Sequence, residues 1–152
     1  MNDVKRAGPV ARARGLAGVI AAAADTTERD RRIPKELLDQ LHEARLFRML
    51  YPRSVGGDEI EPGEYVLAVG ELAQADGSVG WCASIANSIG LFAPYLGLDA
   101  ARKVFGDPRA TCAWGHPTNR RRSRCRAATA SPAVGISPAA AAMQAGWART
   151  AP

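Results

Sequence analysis

Acidic residues stop abruptly in this chain, and that break limits what one fold can include. All 15 Asp and Glu of the 152 residues lie between Asp3 and Asp107. From Arg120 to Pro152 there is no Asp, Glu or Lys, while six arginines, 11 alanines and three prolines occur. Residues 1–119 hold 14 basic and 15 acidic side chains, net −1, and residues 120–152 carry +6. The overall +5 therefore belongs to the tail. A folded domain needs a surface of interspersed sign and a patterned apolar face. The chain accordingly divides into a domain over 1–119 and a basic Ala/Arg/Pro-rich tail over 120–152.

Three readings of the tail compete. The run R-R-R-S-R-C-R from Arg120 to Arg126 suits phosphate contact and a nucleic-acid arm. The composition also suits a disordered linker. The favoured reading is a coding segment translated out of frame, because shifted GC-rich DNA yields mainly Arg, Ala, Pro, Gly and Ser. Joining the third base of each codon to the first two of the next gives, from Cys125 onward, P-G-G-Y-R-V-T-G-R-W-D-F-A-S-G-S-R-H-A-G-W-V-G. Met143–Gln144 then yields Ala and Trp147–Ala148 yields Gly with no freedom of choice. The shifted text contains a Gly-Gly turn and a strand-like alternation. A tail read out of frame is expected to be disordered, with at most a stray helix over Ala139–Gln144. It is not expected to bind nucleic acid specifically.

The first 119 residues read as an all-α domain. Apolar positions Val4, Ala7, Val10, Leu16, Val19, Ile20 and Ala23 have helical spacing over Val4–Ala24, followed by a charged connector Asp25–Arg32. Pro34 suits the first turn of a second helix. Its apolar face is Ile33, Leu37, Leu38, Leu41, Ala44 and Leu46, and His42 falls on the solvated side. Pro52, Gly56 and Gly57 mark a loop, read as a plain turn in preference to an anion cradle. Pro62 opens a third helix with Tyr65, Val66, Val69, Leu72 and Ala73 inward. From Gly77 to Leu98 no charged residue occurs. This run is long enough for a bilayer span. Its Ser, Asn, Pro and Gly content favours a helix buried at the centre of a bundle. Asp99–Phe105 reads as a fifth helix, and Thr111–Trp114 as the possible start of a strand.

Chemistry-bearing motifs are scarce. There is no Walker loop, G-x-G-x-x-G, H-E-x-x-H or metal cluster. Cys82, Cys112 and Cys125 have neither metal spacing nor an even count. His116, in G-H-P-T-N, reads as a surface residue. No secretory h-region opens the chain, so a cytoplasmic location without a membrane partner is the default.

The order of segments resembles the N-terminal part of the acyl-CoA dehydrogenase superfamily. The matching stretches are R-R-I-P-K-E-L-L-D-Q-L-H-E-A-R-L-F-R-M-L-Y-P-R-S-V-G-G, E-L-A-Q-A-D-G-S-V-G-W and F-G-D-P-R-A. The second is more similar to the flavin-dependent aromatic hydroxylase branch than to the dehydrogenases proper, and the shifted R-W-D-F-A-S-G-S agrees. The resemblance implies a two-component monooxygenase. A separate reductase supplies reduced FAD or FMN, oxygen is activated on the flavin, and one oxygen atom passes to an aromatic substrate. It also implies a central β-domain, a C-terminal helical bundle and a homo-oligomer, usually a tetramer. Trp81, Ser84, Asn87 and Trp114 are then candidates for one wall of the substrate or flavin pocket. No catalytic residue is assigned to this chain, because the β-domain and bundle supply most flavin contacts and the acid–base histidine. The resemblance thus implies an inactive fragment, with flavin not held by this chain alone. Without the partner domains, a face of Trp81, Ile85, Ile89, Leu91, Phe92 and Tyr95 is expected to be partly exposed. The alternatives are an acyl-CoA dehydrogenase using FAD, and, from another class, a helical binding module with a nucleic-acid-binding tail.

Overall fold

The computed structural model describes residues 7–112. These form five α-helices and two 3-10 segments, with no strand among the described residues. The all-α expectation therefore holds. The expectations for residues 120–152, for His116 and for Trp114 lie outside the described residues.

Helix α1 runs Pro9–Asp30, with Pro9 in the first turn and Gly8 as N-cap. It extends through most of the expected charged connector. Asp25, Glu28, Arg29 and Asp30 are exposed, while Thr27 is buried. The charge run is thus the solvated face of the last turns. The helix stops where Arg31 takes the left-handed conformation (φ 49°) and its N–H donates to the Glu28 carbonyl. Ile20 is buried, but its neighbour Val19 is on the open side.

Helix α2, Lys35–Glu43, buries Leu37 and Leu41, with Pro34 as its N-cap. Arg45 is left-handed (φ 58°), and the chain then enters the buried run from Leu46 to Met49. Residues 52–60 fold back along this run. Asp58 N–H donates to the Arg48 carbonyl, Ile60 N–H to Met49 and Glu59 N–H to Tyr51. The return needs both glycines. Gly56 has φ 80°, and a Cβ on Gly57 would lie 1.8 Å from the Tyr51 carbonyl oxygen. The double glycine is therefore a turn.

Helix α3, Pro62–Ala75, lies along α1 and forms a hairpin with α4, Gly77–Ser88. Its buried stripe is centred on Ala68 and Leu72, with Tyr65 and Val69 half-buried. Val66 and Ala73, both expected inward, are exposed. The two are seven residues apart and share one edge of the helix. The uncharged run from Gly77 is not one central helix. It is α4, then a 3-10 segment Ile89–Tyr95 containing Pro94, then α5 at Leu98–Phe105. Proline cannot continue the α-helical ladder. Among the described residues no helix is long and apolar enough to cross a membrane. Thr111 and Cys112 have no regular structure.

The main core joins Ala13 and Ile20 of α1, Leu37 and Leu41 of α2, Leu46, Phe47 and Met49, and the inner faces of α3 and α4. A smaller cluster of Tyr51, Val55, Ile89, Ala93, Ala101 and Phe105 fastens α5 to the loop and the 3-10 segment. Buried arginines link these parts. Arg12 donates to the Ala44 carbonyl at 3.0 Å and to Asp58 at 2.7 Å, and Arg45 reaches the other Asp58 oxygen at 2.6 Å. Arg48, 2% exposed, donates to the carbonyls of Val55, of Phe105 at 2.7 Å and of Asp107 at 3.3 Å. Its guanidinium lies 4.2 Å from the Tyr51 ring centroid. Burial pulls the Arg48 pKa down from its ordinary value, but an arginine stays charged.

Candidate pocket-wall face

The A-D-G-S-V-G-W stretch builds the α3–α4 hairpin. Asp76 is the N-cap of α4: its Oδ1 accepts from Val79 N–H at 2.8 Å and from the Ser78 hydroxyl. Val79 is buried in the main core. Gly80 allows the helices to touch, because a Cβ there would lie 2.6 Å from the Ala73 Cβ. Trp81, the last residue of the stretch, turns its large side chain outward, at 63% exposed.

Ser84 is one helical turn further along α4 and half-buried. The Tyr65 hydroxyl of α3 lies 3.3 Å from both the Ser84 carbonyl and its Oγ. This gives the edge of the face a polar pair of hydroxyls. Asn87 is placed differently. It is fully buried. Its amide nitrogen donates to the carbonyls of Leu46 at 2.7 Å and Ala83 at 2.8 Å, and its Oδ1 accepts from Leu50 N–H at 3.2 Å. These bonds commit its side chain to the domain's own backbone. Trp81 and Ser84 are thus at the surface of α4, and Asn87 is behind them in the core.

The 3-10 segment adds Leu91, Phe92 and Tyr95, at 54%, 56% and 86% exposed, while Ile89 and Ala93 point inward. Of the apolar face expected from the sequence, Trp81, Leu91, Phe92 and Tyr95 are open. Ile85 is half-buried and Ile89 is buried. The correction follows from the small cluster, in which Ile89 packs with Tyr51 and Phe105. Sequence reasoning missed Val66 and Leu67 on α3, also open. It also passed over Arg48, although a lone arginine inside L-F-R-M-L-Y is a visible signal of a buried polar strut.

Neither thiol among the described residues is activated. Burial raises the pKa of Cys82 on α4 and of Cys112, which leaves both protonated near neutral pH. His42 is not on a solvated face as expected. It is half-buried, with its ring 5.0 Å from that of Phe47. Loss of hydration, with the Arg109 charge as a second cause, lowers its pKa. Its Nδ1 is buried without a hydrogen-bond partner.

A family model described as "Acyl-CoA dehydrogenase, N-terminal domain" matches residues 12–104, from the buried Arg12 to the end of α5. The chain belongs to this family. Among relatives, the chain is 35% identical over 96 residues to a flavin-dependent monooxygenase, oxygenase subunit HsaA, of Rhodococcus jostii (strain RHA1). That alignment covers 63% of this chain and 23% of the relative. It is 34% identical over 65 residues to an indole-3-acetate monooxygenase of Acinetobacter baumannii, covering 43% of this chain and 16% of that protein. An HsaA oxygenase subunit of Mycobacterium tuberculosis is 31% identical over 88 residues, 58% of this chain and 22% of its own length. The chain thus spans less than a quarter of the length of these curated relatives. As a member of the acyl-CoA dehydrogenase N-terminal domain family it has oxygenase subunits of flavin-dependent monooxygenases among its relatives.

Proposed function

We propose that residues 7–112 are the helical N-terminal domain of a two-component flavin-dependent monooxygenase that hydroxylates an aromatic substrate. In this reading its Trp81 face forms one wall of the pocket. The carrying observation is the identity with oxygenase subunits and with indole-3-acetate monooxygenases, whose named substrate is aromatic. The face suits the role. Trp81, Phe92 and Tyr95 present flat apolar surface of the kind that stacks on planar rings, and the Ser84–Tyr65 pair offers hydroxyls at its border. The described residues fit one side of a planar ring system. The other sides are left to the β-domain and bundle that the family resemblance implies.

Reduced FAD or FMN, delivered by a separate reductase, supplies the electrons that activate oxygen. The domain's share is to exclude water and orient the ring, because activated oxygen species are lost where water enters. Asn87 serves by holding α4 in place and Ser84 by hydrogen bonding at the rim. Trp114 extends the same wall in this proposal. The domain alone then neither retains flavin nor transfers oxygen. The change of composition after Arg120 supports an out-of-frame tail.

The test has two arms. The purified chain is titrated with FAD and with reduced FMN, and assayed for oxygen-dependent hydroxylation of simple phenols with a reductase present. The coding DNA is then read downstream, and the frame is restored at or shortly before Cys125. The chain alone is expected to be inactive, and the restored protein is expected to hydroxylate a phenol or indole. Coupled hydroxylation by the chain alone, or oxidation of acyl-CoA thioesters by the restored protein, would overturn the reading.

A further inference from the structure

We infer that Tyr51 and Asn87 are positioning residues that fix where α4 gives way to the 3-10 segment, and so aim Phe92 and Tyr95 out of the domain. The last two turns of α4 are held by side chains at three of their carbonyls. Ala83 accepts from the Asn87 amide at 2.8 Å, Ile85 from the Ser88 hydroxyl at 2.8 Å, and Ala86 from the Tyr51 hydroxyl at 3.0 Å. In a continuing α-helix the Ile85 and Ala86 carbonyls would take the N–H groups of residues 89 and 90. The chain instead tightens into the 3-10 segment at Ile89, where each N–H reaches back only three residues. The Tyr51 hydroxyl binds the Ala86 carbonyl just ahead of this change.

The Tyr51 ring sets the position from the other side. A Cβ on Gly90 would lie 2.5 Å from the Tyr51 Cδ2 and 2.8 Å from its Cγ. The ring thus occupies the space where a side chain of residue 90 would stand. Asn87, one turn earlier, binds the Leu46 carbonyl and the Leu50 N–H. Both grips come from one stretch, Leu46–Tyr51, which the folded-back loop braces through Gly57. With 3.0 rather than 3.6 residues per turn, Phe92 and Tyr95 are eclipsed on one side, and both are exposed. Pro94 alone blocks a longer α-helix but does not say at which residue the change starts.

The use of this device for aiming a pocket wall rests on the proposed function; the positioning itself does not. Hydrogen exchange read by mass spectrometry on the dilute chain separates the two. Tyr51→Phe removes only the hydroxyl and keeps the ring. It is expected to speed exchange of residues 89–93 by about 3- to 10-fold while α1 and α3 stay within about twofold of the unmodified chain. Phe105→Leu loosens the same small cluster without touching an α4 carbonyl, and should not reproduce that selective change. Unchanged exchange at 89–93 in Tyr51→Phe, or the same pattern in both variants, would overturn the inference in favour of Pro94 alone. The unmodified chain gives a check that needs no variant. If residues 89–93 exchange as fast as a free peptide, nothing holds the segment and the inference fails. Absence of hydroxylation in the restored protein would count against the pocket wall and leave these exchange results standing.

Discussion

Replacing Arg48 tests the claim that a buried cation joins the two clusters. Its side chain reaches the carbonyls of Val55, Phe105 and Asp107, so it ties the loop and the end of α5 to the buried run. No carboxylate among the described residues forms an ion pair with it. Arg48→Ala strands these carbonyls and removes the contact with the Tyr51 ring. Hydrogen bonds from a charged group are worth about 1.5–3 kcal/mol each. Against this, releasing the guanidinium to water recovers several kcal/mol of desolvation. The expected net loss is about 2–4 kcal/mol, a large part of the roughly 5–15 kcal/mol of a typical domain. At about 4–8 °C per kcal/mol for a domain near this size, Tm should fall by at least about 8 °C. Urea unfolding followed by circular dichroism measures the loss directly. Arg48→Lys should sit between the two, because an ammonium keeps the charge but lacks the planar fork that serves separate carbonyls. A loss below about 1 kcal/mol for Arg48→Ala, with an unchanged urea slope, would refute the reasoning.

Gly80→Ala should destabilise the domain by about 1–3 kcal/mol through overpacking against Ala73, whereas Gly77→Ala, with open space at its Cβ, should be neutral or slightly stabilising; equal unfolding midpoints for the two would contradict the close helix approach. The lowered pKa of His42 means that the unfolded chain takes up its proton first as pH falls. Its contribution is therefore intact above pH ~6.5 and is lost as pH drops from there through the lower folded value. His42→Gln should flatten that part of the stability–pH profile, and an unaltered profile would remove His42 as the cause. Phe92→Ser with Tyr95→Ser should reduce self-association of the isolated chain in sedimentation, since both rings are exposed; equal association would show that this face is not the sticky one. Reading the coding DNA in the shifted frame after Cys125 should give G-G-Y-R-V-T-G followed by an open frame, and early stop codons there would end the frame-change proposal.

Local chemistry made much of this domain legible in the sequence. Pro34 and Pro62 mark helix starts because proline suits the first turn and its approach, and the double glycine marks a turn because one residue needs positive φ; the first helix, expected from Val4, instead begins at Pro9. The apolar spacing of Leu37 and Leu41 gives the inner face of α2. The stretches that carry the family resemblance are hairpin and loop determinants for the same reason: Asp76 caps, Gly80 permits contact, and Gly57 clears the Tyr51 carbonyl.

Tertiary packing decided the rest. A charge run from Asp25 to Asp30 reads as a connector until α1 is seen to bury Thr27 beneath it. The direction of α3's buried stripe depends on having α1 on one side and α4 on the other, which exposes Val66 and Ala73. An uncharged run carries no mark of the residue at which an α-helix tightens. That point lies where Tyr51, 35 residues earlier, binds the Ala86 carbonyl and where Asn87 of α4 binds back to Leu46. The same contacts make Asn87 an interior residue and leave Trp81, on the same helix, outside. Composition and periodicity assign a residue to an element and a face. Only long-range contacts decide which of two apolar faces is covered, because that depends on what the neighbouring chain brings to it.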